Sequence, residues 1–244
     1  EFANVLIQTI ANKYKLIENL GINYLWEIKF DSCLQNLGAD QFIKNYLEGI
    51  QNLRLIFLGH DFALGKGKED AHKVLQNVMS KHEVEILSAS ALQVNGEVCS
   101  STKIRKYISD GEMKNANNLL GHHYFLTGEV IKGEGLGSKE IVPTANLGIA
   151  KNLIIPSYGV YYKETFVDEV RYKSITNIGR RPTVKNNGEV SVETHILDFS
   201  KDIYEKEIKV DFLKRLRKEK KFDSLASLKI QVLNDIESRR SYDD

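Results

Sequence analysis

The chain has 244 residues, of which 42% are hydrophobic and 27% charged, with a formal net charge of +1. That length admits two modest domains, each with its own core, and a near-neutral balance argues against a protein that wraps nucleic acid, which carries a basic face or tail. Cys33 and Cys99 lie far apart with no metal-type or disulfide spacing, no apolar run approaches the ~20 residues of a membrane span, and Glu1-Phe2-Ala3-Asn4 lacks the pattern of a signal peptide; the expectation is a cytoplasmic protein with neither nucleic acid nor membrane as partner.

In chain order, Ile10, Tyr14, Ile17 and Leu20 recur at helical spacing and Gly21 supplies a stop. Ile22 to Phe30 alternates, with Ile22, Tyr24, Trp26, Ile28 and Phe30 on one face, and predicts a strand. Helical spacing returns from Ala39 to Ile50 through Phe42 and Tyr46. Leu53 to Leu58, closed by Gly59, predicts a buried strand of a parallel sheet. A helix over 69–81 and a strand over 84–87 complete an alternating rhythm that implies a doubly wound α/β domain.

Residues 101–120 predict two short helices broken at Asp110-Gly111. The character then changes. From Tyr124 onward, β-rich runs over 125–131, 159–162, 172–178, 190–197 and 207–212 alternate with Gly, Pro and Asn turns, as a small antiparallel barrel or sandwich requires. A last helix over 224–239 carries Leu225, Leu228, Val232 and Ile236 on one stripe. The domain boundary is expected near Gly121, dividing the chain into 1–121 and 122–244.

Three segments carry candidate chemistry. Gly59-His60-Asp61-Phe62, with Gly65-Lys66-Gly67, follows a predicted strand, where α/β sheets bind nucleotides, although on pattern alone an ordinary Gly-rich turn is favoured. Ser100-Ser101-Thr102-Lys103-Ile104-Arg105 opens a helix, where hydroxyls cap exposed amides and the terminus favours phosphate; a plain helix cap reads equally well. Gly133, Gly135 and Gly137 form a loop able to fold over phosphates, or a hairpin turn, and it leads to Thr144 and Asn146, whose oxygens suit Mg²⁺.

In this order the segments resemble the bacterial bifunctional riboflavin kinase/FAD synthetases. Gly59-His60-Asp61-Phe62 resembles the family's G-x-D-F-x-F-G loop, Ser100 to Arg105 its S-S-T-x-I-R motif, and Leu120 to Gly128 its domain junction. Pro143-Thr144-Ala145-Asn146 matches the riboflavin kinase signature, followed by Gly159-Val160-Tyr161, Asn177-Ile178-Gly179-Arg180-Arg181-Pro182-Thr183 and Val192-Glu193-Thr194-His195. The resemblance runs from near Lys13 to the carboxyl end. It implies a nucleotidyltransferase-like parallel-sheet domain followed by an all-β kinase barrel with a carboxyl-terminal helix. It further implies two reactions: ATP-dependent phosphorylation of riboflavin to FMN in the second domain, and adenylylation of FMN to FAD in the first. Riboflavin, FMN and ATP would be the small-molecule substrates and Mg²⁺ the metal.

Residue by residue, the resemblance assigns Thr144 and Asn146 to Mg²⁺-ATP, with Gly133, Gly135 and Gly137 covering the phosphates. Glu193 becomes the base that takes the ribityl hydroxyl proton, and Arg217 falls in the region that closes over the flavin. Gly59, Asp61, Phe62, Gly65, Ser101, Thr102 and Arg105 are assigned to adenylyl transfer. The family's opening Gly-x-Phe-Asp-Gly and H-x-G-H motifs have no match in these 244 residues, so riboflavin phosphorylation without FAD synthesis is expected from them alone. Ile141, Val142 and Leu136 also depart from the family's kinase loop, at positions usually Gly, aromatic and basic. Two other readings stay open: a riboflavin kinase with a degenerate first domain, and a flavin-binding regulator that does not turn over. Intact Thr144, Asn146 and Glu193 argue against the regulator, which has no need of metal ligands and a base.

Overall fold

The computed structural model describes residues 5–132, 142–180 and 190–242. Its elements in chain order are α1 (Ile10–Asn19), α2 (Ser32–Gln35), α3 (Ala39–Tyr46), β1 (Leu55–Leu58), β2 (Ala63–Leu64), β3 (Glu69–Asp70), α4 (Ala71–Val78), β4 (Glu85–Ser88), β5 (Gln93–Val94), β6 (Glu97–Val98), α5 (Ser101–Asp110), α6 (Met113–Leu120), β7 (Tyr124–Ile131), β8 (Ala145–Leu147), β9 (Gly159–Val167), β10 (Val170–Arg180), β11 (Val190–Ile196), β12 (Glu207–Lys218) and α7 (Leu225–Arg240). They fall into two units: Leu20–Cys99, and Glu1–Asn19 together with Ser100–Asp244.

In the unit Leu20–Cys99, β1 and β4 pair in parallel, with Leu55 opposite Glu85 and Leu58 opposite Ser88. Such a pair needs a crossover, and α4 lies within it. Ala39, Ile43, Leu58, Ala71, Leu75 and Met79 form the core, because the apolar stripes of α3 and α4 have the same sheet face to cover. Asp70 starts α4 by accepting from the amides of His72 and Lys73, and the Lys73 amide, the leading cause, holds its carboxyl below the ordinary range.

One expectation fails in this unit. Residues 22–30 form no strand, and Tyr24, Trp26 and Phe30 are exposed, Tyr24 by 93%. Alternation describes a face. A strand also requires a neighbour to take its N–H and C=O groups, and among the described residues β1 and β4 pair only with each other. Trp26 packs instead against the Tyr46 ring, with centroids 5.7 Å apart.

In the other unit, six antiparallel strands close in the order β10-β11-β8-β7-β12-β9. Closure removes every sheet edge, and period-two alternation sends one set of side chains inward. That interior holds Tyr124, Leu126, Val130, Ile178, Val210 and Phe212. Its buried hydroxyls pair: Thr165 with Ser174 at 2.7 Å and Thr176 with Thr194 at 2.7 Å. On the outside, α7 covers Val160, Tyr162, Ile175 and Leu213 with Ile236 and Val232. Leu225, at the head of the stripe expected from sequence, is exposed.

Helices α5 and α6 follow the expected break at Gly111 and pack on the same unit. The Asn117 side chain accepts from the Tyr124 amide at 2.7 Å and donates to the Phe212 carbonyl at 2.8 Å, which ties α6 to β7 and β12. The first residues join through a parallel bridge between Leu6 and Leu153 and a hydrogen bond from Asn12 Nδ2 to Thr127 Oγ1 at 2.9 Å.

Candidate active site on the barrel

Register builds the site. Glu193 lies directly opposite Asn146 on β8 and Asn177 on β10. Asn177 is in turn opposite Val160, and Val160 opposite Arg217. Directly opposed residues of antiparallel strands share a face. Since Thr194 and Ile178 are fully buried in the interior, their neighbours Glu193 and Asn177 point outward. A row Asn146–Glu193–Asn177–Val160–Arg217 therefore crosses the outer barrel surface, reaching the part covered by α7 at Val160.

At the far end of that row the Arg217 guanidinium is held by Asp235 of α7, with Nη2 donating to Oδ2 at 2.8 Å and Nε at 3.0 Å. Gln231 Nε2 donates to the other oxygen at 2.9 Å, and Arg217 Nη1 to the Lys218 carbonyl at 3.3 Å. The carboxylate is buried and fully employed, so Arg217 is first a strut between β12 and α7. Sequence reasoning missed Asp235 and Gln231. The available signal was an acid seven residues after Leu228, hence on the helix's inward face.

At the other end, Thr144 precedes β8. Its Oγ1 is buried and has no hydrogen-bond partner among the described residues, an arrangement that costs free energy unless a ligand supplies the partner. Thr144 borders a cavity of about 410 Å³, shared with Ala145, Thr194, Phe199, Lys201 and Tyr204, within the size range of small-molecule sites. His195 Nδ1 lies 2.8 Å from the Pro143 carbonyl and fixes the approach to β8. Gly133, Gly135 and Gly137 lie outside the described residues, as do Leu136 and Ile141. Among the described residues no group of three or more His, Cys, Asp or Glu side chains could hold a metal ion. The Thr144 hydroxyl and Asn146 amide oxygen are instead the hard donors expected of a Mg²⁺ that arrives with substrate phosphates.

The residues assigned to adenylyl transfer fall in both units. Gly59, Asp61 and Phe62 are exposed on the loop after β1. Gly65 has a structural requirement of its own: at φ +72° a Cβ would lie 2.8 Å from Ala39 Cα at the start of α3. Ser101 and Thr102 are exposed in the first turn of α5, which Ser100 caps by accepting from the Lys103 amide at 3.3 Å. Arg105 donates from Nε to the Val5 carbonyl at 2.8 Å, anchoring the chain's first described residue.

A riboflavin kinase family model matches residues 120–242 and an FAD synthetase model residues 1–103. The bifunctional riboflavin kinase/FMN adenylyltransferase of Bacillus subtilis is 32% identical over 232 residues, covering 94% of this chain and 73% of the relative. That of Escherichia coli K12 is 32% identical over 236 residues, covering 96% and 74%. This chain belongs to the bifunctional riboflavin kinase/FMN adenylyltransferase family. A Streptococcus pneumoniae protein whose crystal structure was described as that of a macrolide-efflux protein shares the fold, at TM-score 0.88 and 29% identity over 98% of this chain and 77% of that one. No described helix of the present chain is long and apolar enough to cross a membrane. The family match gives the outward row and the Thr144 cavity a chemical context: both lie within the riboflavin kinase segment.

Proposed function

We propose that this protein makes flavin cofactors in two steps on small-molecule substrates in the cytoplasm. In the first, the 5′-hydroxyl of riboflavin attacks the γ-phosphorus of ATP, the bond to the β-phosphate oxygen breaks, and FMN and ADP leave. In the second, an FMN phosphate oxygen attacks the α-phosphorus of ATP, giving FAD and pyrophosphate. We assign the kinase to 122–244 and the adenylyltransferase to 1–121, with Gly59, Asp61, Phe62, Gly65, Ser101, Thr102 and Arg105 as candidates for the second site.

Phosphoryl transfer asks a protein mainly for positioning and charge neutralisation. In this reading the nucleotide enters the cavity beside Thr144, and the Thr144 hydroxyl and Asn146 carbonyl hold Mg²⁺, which supplies neutralisation of the phosphate charge. Glu193 takes the hydroxyl proton as the new P–O bond forms. Gly133, Gly135 and Gly137 cover the phosphates. Arg217, braced by Asp235, borders the flavin side.

The observation that carries the kinase reading is the pairing of Asn146 with Glu193 across β8 and β11. It sets a metal-type oxygen donor beside a carboxylate on one surface. The test is product analysis with riboflavin, ATP and Mg²⁺, and separately with FMN, ATP and Mg²⁺. FMN formation should fall about 10²–10⁴-fold in Glu193→Gln, while riboflavin still binds. Near-normal turnover in that variant removes Glu193 from its role.

A further inference from the structure

We propose that Asn177 is a positioning residue of the phosphoryl-transfer site, its side-chain amide holding the Glu193 carboxylate from the side opposite Asn146. The proposal rests on the kinase reading and adds to it a residue to which the family resemblance assigned no task.

Asn177 is directly opposite Glu193 in the β10–β11 register, so their Cβ atoms stand about 4.5–5.5 Å apart on one face. An amide at that distance reaches a carboxylate. Nothing else employs it: Asn177 is exposed and makes no side-chain hydrogen bond among the described residues, and neither does Glu193. Asn is disfavoured in the middle of a strand, so an idle Asn there lacks a local reason.

The neighbouring position supports the assignment. Gly179 lies two residues along β10 on the same face, and a Cβ there would sit 2.9 Å from Glu219 Oε1 and 3.5 Å from Asn177 Nδ2. Any larger residue would press on the Asn177 amide, so the space beside it is kept open by sequence.

A neutral donor suits the task. One N–H directed at one carboxylate oxygen fixes the group and leaves the second oxygen free to receive the hydroxyl proton. A carboxylate in place of the amide would disfavour the ionised base. The other charged or titratable groups near this face, among the described residues, are His195 two residues along β11, Glu219 beside Gly179, and Arg217 across Val160, already paired with Asp235.

The experiment measures kcat and KM for riboflavin and for MgATP between pH 5 and 9 in the full chain, with Asn177→Ala, Asn177→Asp and Glu193→Gln. The proposal expects kcat to fall on the order of ten- to a hundredfold in the alanine variant, as for a misplaced catalytic group, with KM for MgATP unchanged. The acid limb of the kcat profile should move to higher pH in the alanine variant and further in the aspartate one. Should the aspartate protein fail to fold, Asn177→Ser carries the same comparison with a smaller displacement. An unmoved acid limb, with or without a loss of rate, assigns Asn177 a structural role and overturns the proposal. Retained turnover in Glu193→Gln sinks the kinase reading itself, whereas a dead Glu193→Gln with an unmoved limb in the Asn177 variants sinks only Asn177.

Discussion

Asn146 and Glu193 lie directly opposite each other on β8 and β11, and their side chains leave the barrel on the same face. The two come from motifs far apart in the chain, and β8 has three residues. Its shortness matters, because a longer strand would fill the outer surface where a nucleotide must approach. The barrel supplies rigidity, and the cavity beside Thr144 supplies access from one end of the row.

Thr144→Val tests that access. The Thr144 hydroxyl has no hydrogen-bond partner among the described residues, so replacing it with a methyl group of the same shape should leave thermal stability unchanged or slightly raised. The loss should fall on the nucleotide. A hydrogen bond to a charged group is worth about 1.5–3 kcal/mol, which corresponds to a drop in kcat/KM for MgATP on the order of ten- to a hundredfold. Steady-state kinetics with a melting curve separate the two effects, and a destabilised variant with normal kinetics would make Thr144 a structural residue.

Asp235→Ala tests the strut. Its carboxylate is buried, with 5% of the side chain exposed, and accepts from both Arg217 and Gln231. Removing one partner of a buried pair leaves the other charge uncompensated, at a cost of about 3–5 kcal/mol; partial exposure of Arg217 puts the expected loss near the lower bound. The pair Arg217→Met with Asp235→Leu should cost less than the two single changes summed. Denaturant titration of the cycle measures it, and additive losses would mean that the two residues act separately.

Much of this organisation was legible in the sequence, and the gaps have physical causes. Helix breaks and barrel strands were readable because Gly111 and the period-two runs act locally. The strand expected over 22–30 was not formed, since alternation says nothing of whether a hydrogen-bonding partner exists. β8 was missed because three residues are too few to show a period. The row from Asn146 to Arg217 was invisible for a different reason: register links residues distant in sequence, and motifs gave Glu193 and Asn146 roles without placing them side by side. Arg217 was read as a flavin contact, while its pairing with Asp235 depends on where α7 docks.

Arg105→Ala tests whether the S-S-T-x-I-R motif also holds the fold. Arg105 Nε donates to the Val5 carbonyl, next to the Leu6 amide bonded to Asn152 O at 2.7 Å and the Ile154 amide bonded to Leu6 O at 2.8 Å. Loss of the guanidinium should speed hydrogen exchange at the Leu6 and Ile154 amides by about fivefold to tenfold, the effect of about 1 kcal/mol of local opening. Unchanged exchange at both amides would leave Arg105 with no structural part.

Lys163→Met tests the barrel interior. Lys163 is fully buried, its amine sits 3.1 Å from the Phe212 ring centroid, and it has no hydrogen-bond partner among the described residues. Loss of water pushes the amine well below the ordinary lysine range, with the Asp211 charge opposing weakly. An unfolded lysine titrates near 10.4, so between the depressed folded value and that value unfolding takes up a proton. Stability from this group therefore rises with pH across that window, by up to about 1.4 kcal/mol per pH unit. Methionine matches the lysine stem and carries neither the orphan donor nor the titration. The variant should be more stable at pH 7 by about 1–3 kcal/mol, and its advantage should shrink as pH rises toward 10. Urea melts of both proteins at pH 7, 8.5 and 9.5 give the comparison. An advantage that is constant with pH would mean that Lys163 keeps its proton inside the barrel.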